Sequence, residues 1–281
     1  MTSRPATSAW TLRPWTLAAF LVAIGLSAAP AQAQVIDCLV ISNYGYATVA
    51  SDFAPYMPDI SFDTWDADTT PSDALLDSYD LILLFENGHF SNSNNTGEAI
   101  YDWYMEGGRG LVLGTFYWQE PGYGSGWGSL DDIVPMDPAD RGCEYGGDSL
   151  DAGSIVTHDL TDGVSSLYCG SYRGGVKAAN GASTVALWTT PNAEGGDDPV
   201  IAYHTNDGGR MVGVSAFPDY PAYGGCTGDF HTIFYNALLW AADAICTDAD
   251  GDGYNDVACG GDDCDDADID VYPGADEYCN G

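Results

Sequence analysis

Apolar positions along this chain follow two rhythms. Short continuous runs, "VIDCLVIS" (35–42), "DISFDTW" (59–65), "YDLILLFE" (79–86) and "GLVLGTF" (110–116), read as strands, and the third is apolar enough for a central strand buried on both faces. Between them the spacing is helical. A helix is expected near Tyr46–Tyr56, and in "TGEAIYDWYMEGGRG" the side chains of Ala99, Ile100, Trp103 and Tyr104 share one face before Gly107 and Gly108 stop the helix. Beyond Trp118 the pattern loosens into the glycine-rich, aromatic-rich stretch "YWQEPGYGSGWGS". Regularity returns in "STVALW" (183–188), "DPVIAYH" (198–204) and "RMVGVSAF" (210–217), three strands joined by turns containing "NAEGG" and "NDGG". The last periodic segment, "DFHTIFYNALLWAADAI", repeats Ile233, Phe234, Ala237, Leu238, Trp240 and Ala241 at helical spacing, as a helix docked on a sheet does. Strands alternating with helices predict an α/β fold built on a mainly parallel sheet.

The two ends of the chain follow neither rhythm. Residues 1–33 read as a secretory signal: Arg4 and Arg13 come first, "WTLAAFLVAIGLSAA" is the apolar run, and Ala31-Gln32-Ala33 is a small-residue cleavage site. The run is short of the ~20 residues that span a bilayer, so no membrane span is expected in the mature chain. Residues 246–281 form an acidic, cysteine-rich tail, leaving 34–245 as the α/β body. The 281 residues carry 42 Asp and Glu against seven Lys and Arg, a net charge of −35. Such a field repels phosphate backbones and anionic lipid, which excludes nucleic acid as a partner. Of the eight cysteines, Cys38, Cys143, Cys169 and Cys226 lie in the body, and Cys246, Cys259, Cys264 and Cys279 in the tail. Export favours disulfides for both sets, although each set of four allows three pairings. A thiolate metal site is the rival reading for the tail.

The body's blocks "DLILLFENGHF", "IYDWYMEGGRGLVLGTF", "HDLTDGV", "GRMVGVSAFP" and "FYNALLWAA", taken in order, resemble the ThuA-like branch of the class I glutamine amidotransferase-like fold. That resemblance implies a flavodoxin-like three-layer sandwich with a ligand crevice at the carboxyl ends of the strands. The crevice candidates are Asn43, Tyr44, Glu86, His89, Thr115 and Trp118. In amidotransferases proper a cysteine nucleophile follows the strand that corresponds to "GLVLG"; here Thr115 stands in that neighbourhood, and a threonine without a paired base is a poor nucleophile. Glutaminase chemistry is therefore not expected. Glu86, His89 and Asp219 remain as acid and base candidates at strand ends. His158 is expected to cap backbone in "VTHDLTDG", and Asp229 beside His231 to accept the first free amides of the last helix. The aromatics Tyr117, Trp118, Tyr123 and Trp127 either stack on sugar faces or fold back over one end of the sheet.

In the tail, Asp248, Asp250 and Asp252 occupy positions 1, 3 and 5 of an EF-hand-type loop, with Gly253 at the sharp turn, the Tyr254 carbonyl at position 7 and Asp256 at position 9. Position 12 is Cys259, so the bidentate carboxylate must come from further on, with Asp263 and Asp266 among the candidates. Hard oxygen donors in this number select Ca²⁺ over zinc. The string "DADGDGY…CGGDDCDDADIDVYPGADEYCNG" resembles the MopE-type metal-binding repeat of secreted bacterial proteins, which normally runs on into a further aspartate-rich stretch.

The expectation is an exported calcium-binding protein whose body works as a binding or surface-associated module, with an extracellular glycan or cell-surface ligand as partner. The rival is an extracellular hydrolase acting on a carbohydrate or amide through strand-end carboxylates. A third reading has the body merely displaying the tail.

Overall fold

The computed structural model describes residues 35–88, 92–119, 126–139, 141–206, 208–219, 225–242 and 271–272. The elements run β1 (Ile36–Ser42), α1 (Tyr46–Phe53), β2 (Ile60–Asp66), α2 (Asp73–Leu76), β3 (Leu81–Leu84), α3 (Ser93–Met105), β4 (Arg109–Gly114), β5 (Met136–Pro138), β6 (Asp148–Ser149), β7 (Leu167–Cys169), β8 (Val176–Ala178), β9 (Ser183–Leu187), β10 (Pro199–Asn206), β11 (Gly209–Val214), β12 (Cys226–Gly228) and α4 (Phe230–Ala242).

A seven-stranded sheet, in the order β2-β1-β3-β4-β11-β10-β9, is the frame. The five strands from β2 to β11 pair in parallel, while β10 runs antiparallel to both β11 and β9. The central strands are apolar throughout because each feeds two cores. Cys38, Val40, Leu81, Leu83 and Val112 pack against α1 and α4 through Val49, Phe53 and Phe234. Their neighbours Leu39, Ile41, Ile82, Leu84, Leu111 and Leu113 point the other way, onto Ile100, Trp103 and Tyr104 of α3. Alternation across a pleated strand makes this division unavoidable. The result is a mainly parallel α/β sandwich, consistent with a flavodoxin-like fold.

Two glycines with positive φ, Gly107 at 95° and Gly108 at 65°, terminate α3 as its pattern predicts. The expected helix at Tyr46–Tyr56 closes three residues sooner, at Phe53. The loosely patterned middle of the chain builds two small sheets, β12-β7-β6 and β5-β8. Cys169 and Cys226 face each other in register across β7 and β12 and form a disulfide. Cys38 and Cys143 are free and buried.

Candidate functional site

Because β1, β3, β4 and β11 are parallel, the segments that follow them emerge along one edge: Asn43 to Gly45, Glu86 to Gly88, Thr115 and Phe116, and Ser215 to Asp219. Backbone bonds lock these segments together. The Thr115 amide donates to the Ala216 carbonyl at 3.1 Å, and the Phe116 amide to that of Glu86 at 3.2 Å. Asn87 ties in the remaining segment, Asn43 to Gly45, and adds a second link to the last. Its amide donates to Asn43 Oδ1 at 3.1 Å, and its side-chain Nδ2 donates to Asp219 Oδ2 at 3.0 Å.

Asp219 is 3 % exposed, and its second oxygen has no hydrogen-bond partner among the described residues. Burial, reinforced by the nearby charge of Asp52, holds its carboxyl above the usual range, so it keeps its proton to higher pH than an ordinary aspartate. Gly45 makes room for it. A Cβ at position 45 would sit 2.5 Å from Asp219 Oδ2, and φ is +77° there, so only glycine fits without displacement.

An open pocket of about 240 Å³ lies over this edge, lined by Asn87, Gly88, Phe116, Gln119, Tyr145, Tyr172 and Phe217. Its rings brace one another, edge to face or tilted. Phe116 lies 5.1 Å from Tyr172 and 4.9 Å from Phe217, and Tyr145 lies 5.7 Å from Tyr172, measured between ring centroids. Gln119 Nε2 donates to the Tyr145 hydroxyl at 2.7 Å, fixing the carboxamide on the rim. Tyr172 sits at φ +58°, a left-handed conformation that costs a bulky L-residue about 1–2 kcal/mol.

The predicted crevice residues divide by place. Asn43 and Glu86 are buried at the edge, Thr115 is fully buried, and Tyr44 is exposed beside Gly88. The Thr115 hydroxyl has no partner among the described residues. Trp118, expected at the crevice, instead turns inward under the sheet, where a Cβ on Gly213 would lie 3.0 Å from its ring. Tyr117 and Trp127 are buried with it, their rings stacked at 5.0 Å and 12°, so these aromatics cover the sheet rather than face a sugar. Glycines leave the chain free to fold back, and burying three large rings outweighs holding them in water.

His89, Tyr123 and the metal candidates Asp248, Asp250, Asp252, Tyr254, Asp256, Asp263 and Asp266 lie outside the described residues. Among the described residues no three His, Cys, Asp or Glu side chains converge as a metal site would require. His158 caps backbone as expected, its Nδ1 accepting from the Leu160 amide at 3.1 Å. The Asp229 backbone carbonyl accepts from the Ile233 amide of α4 at 2.9 Å, while its side chain turns to the loop before β7. Its carboxylate accepts from the amides of Ser165 and Ser166 at 2.8 and 2.9 Å, because that loop brings two free N–H groups to it.

Sequence reasoning missed Asn87, Phe116, Gln119, Tyr145, Tyr172 and Phe217. Asn87, Phe116 and Phe217 were within reach, being neighbours of predicted strand-end residues. Tyr145 and Tyr172 are brought in by the small sheets, whose strands of two or three residues leave no periodic trace.

A doubly wound α/β body with its crevice at the carboxyl ends of parallel strands is the class of fold these features define. Among solved structures, the chain superposes on a cytoplasmic protein, STM1381, from Salmonella typhimurium with a TM-score of 0.52 at 16% identity, covering 72% of this chain and 98% of that one. It superposes on a ThuA-like protein from Bacteroides uniformis with a TM-score of 0.51 at 13% identity, covering 77% and 95%. The body therefore has a ThuA-like fold. No family model and no curated protein matches the chain.

Proposed function

We propose that this chain is an exported carbohydrate-binding protein whose strand-end pocket holds a sugar ring and whose acidic tail binds calcium. The observation that carries the sugar reading is the lining of the pocket: four aromatic rings, from Phe116, Tyr145, Tyr172 and Phe217, beside the carboxamides of Asn87 and Gln119. Sugars present apolar C–H faces to rings and hydroxyls to amides, and a pocket that pairs both meets both needs. The pocket's volume of about 240 Å³ suits one or two sugar rings rather than a large cofactor. Export is supported by the charged and apolar start of the chain and by the Cys169–Cys226 disulfide, which suits an oxidising compartment. Calcium is supported by the D-x-D-x-D-G spacing from Asp248 to Gly253.

The test is a glycan array probed with the mature chain in calcium and in chelator. Binding to a defined set of sugars, lost in Phe116→Ala, is the expected result. Silence across every sugar in both conditions overturns the reading.

A further inference from the structure

Backbone and side-chain bonds set the segments at the carboxyl edge in a lateral order. Asn87 joins 86–88 to 43–45 through Asn43 Oδ1, the Phe116 amide joins 115–116 to Glu86, and the Thr115 amide joins that segment to Ala216. The row continues beyond the parallel strands. The Gly174 amide donates to the Ser215 carbonyl at 2.8 Å, and Glu144 and Arg173 exchange backbone bonds of 2.8 and 3.3 Å. Six neighbouring segments at the ordinary strand spacing of about 4.8 Å make a row about 24 Å long. The pocket follows it from Asn87 and Gly88 in the second segment to Tyr145 in the sixth, so it extends across the strand ends.

Each end of the row carries an exposed tyrosine. Tyr44, in the first segment, is 62 % exposed, and Tyr145, in the sixth, 51 %. A bare ring standing alone is ordinary, but these two stand at the two ends of a pocket already walled by Phe116, Tyr172 and Phe217. Gly88 lets the Tyr44 ring border that pocket, since a Cβ there would lie 3.5 Å from the ring, and glycine leaves that space open. We infer that the pocket takes the interior of a linear, neutral hexopyranose chain laid along the strand ends, with Tyr44 a binding residue beyond its Gly88 end. The inference rests on the carbohydrate reading above and names its ligand class. A single sugar covers the central rings and leaves both outer tyrosines in water, whereas a chain covers them with further C–H faces, each adding apolar contact. The net charge of −35 sets polyanionic chains at a disadvantage before they arrive.

The experiment is calorimetric titration of residues 34–281, in calcium, with cello-, manno- and malto-oligosaccharides running from the disaccharide to the hexasaccharide. In at least one series affinity should rise about tenfold or more with length. Tyr44→Ala should take back about fivefold of that gain and leave disaccharide affinity within about twofold, while Tyr44→Trp keeps the gain. Tyr44 is exposed and belongs to neither core, so both variants should melt as the parent does, and a loss confined to long chains is not one of folding. A hexasaccharide held no tighter than the disaccharide overturns the inference while leaving carbohydrate binding intact, and so does a length gain that Tyr44→Ala leaves untouched. Binding on the array with no uptake in any of the three series also overturns it, because the ligand is then not a neutral linear hexose chain. Silence both here and on the array removes the two readings together.

Discussion

Asp198 and Asp148 flank the guanidinium of Arg173, each 3.5 Å from its Nη1, yet they titrate in opposite directions. Both lose hydration. Asp148 is nevertheless brought below the usual carboxylate range, because the Thr189 hydroxyl and the amides of Thr190 and Ser149 donate to it. Asp198 is more deeply enclosed, and burial pushes it up to about 6 although Gly175, Val176 and Arg173 all favour its charge. An unfolded aspartate titrates near 3.9, so between about pH 4 and 6 the native state holds a proton that the unfolded state has released. Stability is then highest at low pH and falls as pH rises through the folded value, by up to about 3 kcal/mol for a shift of about two units. Urea unfolding across pH 4 to 7 should show that decline, and Asp198→Asn should flatten it. A carboxyl ¹³C titration placing Asp198 below 4 would remove the basis for the effect.

At the scale of elements, the small sheet β12-β7-β6 is the part most dependent on covalent help. Its strands have two or three residues, too few for stable pairing on their own. The Cys169–Cys226 disulfide closes a separation of 57 residues, for which the chain-entropy account gives about 4 kcal/mol and measured cases more often about 2–4. Cys169→Ser/Cys226→Ser should lower stability in that range and expose Tyr168 and Leu167 to exchange first, with the seven-stranded sheet protected longest in hydrogen exchange. Uniform loss of protection would show instead that the two sheets unfold as one. The contrast between these sheets also explains what the amino-acid pattern revealed. β1, β3 and β4 were legible because strands buried on both faces must be apolar at every position, and α3 and α4 because their buried residues return at 3.6-residue spacing. The strand-end placement of Asn43, Glu86 and Asp219 followed from the parallel sheet. Tyr145 and Tyr172 reach the pocket through non-local pairings, such as Glu144 with Arg173 and Arg173 with Ala216, which leave no periodicity to read.

For the whole molecule, the governing quantity is a net charge of −35 on 281 residues, with the acidic tail its densest part. Self-repulsion of that size disfavours compact states, and two remedies act differently. Monovalent salt screens every carboxylate over about 8–10 Å without choosing among them. A calcium site neutralises a few carboxylates completely and only where oxygens converge, as the spacing Asp248, Asp250, Asp252 and the later carboxylates Asp256, Asp263 and Asp266 would allow. The two remedies separate in one experiment on residues 34–281. Calorimetric titration with calcium in 0.3 M NaCl should still show saturable uptake, and millimolar calcium should slow proteolysis between residues 246 and 281 where NaCl at matched ionic strength does not. At calcium a hundredfold above the dissociation constant, the bound form of the tail gains about 2.7 kcal/mol over its open form, enough to suppress cleavage of that segment about a hundredfold. Asp250→Asn and Asp252→Asn remove one ligand charge each and should weaken uptake together with protection, while leaving the melting of the body in chelator unchanged because neither residue belongs to the body's two cores. Equal protection by salt and calcium, with uptake unaltered in both variants, would mean that the tail is held by screening alone and that its aspartate spacing carries no site.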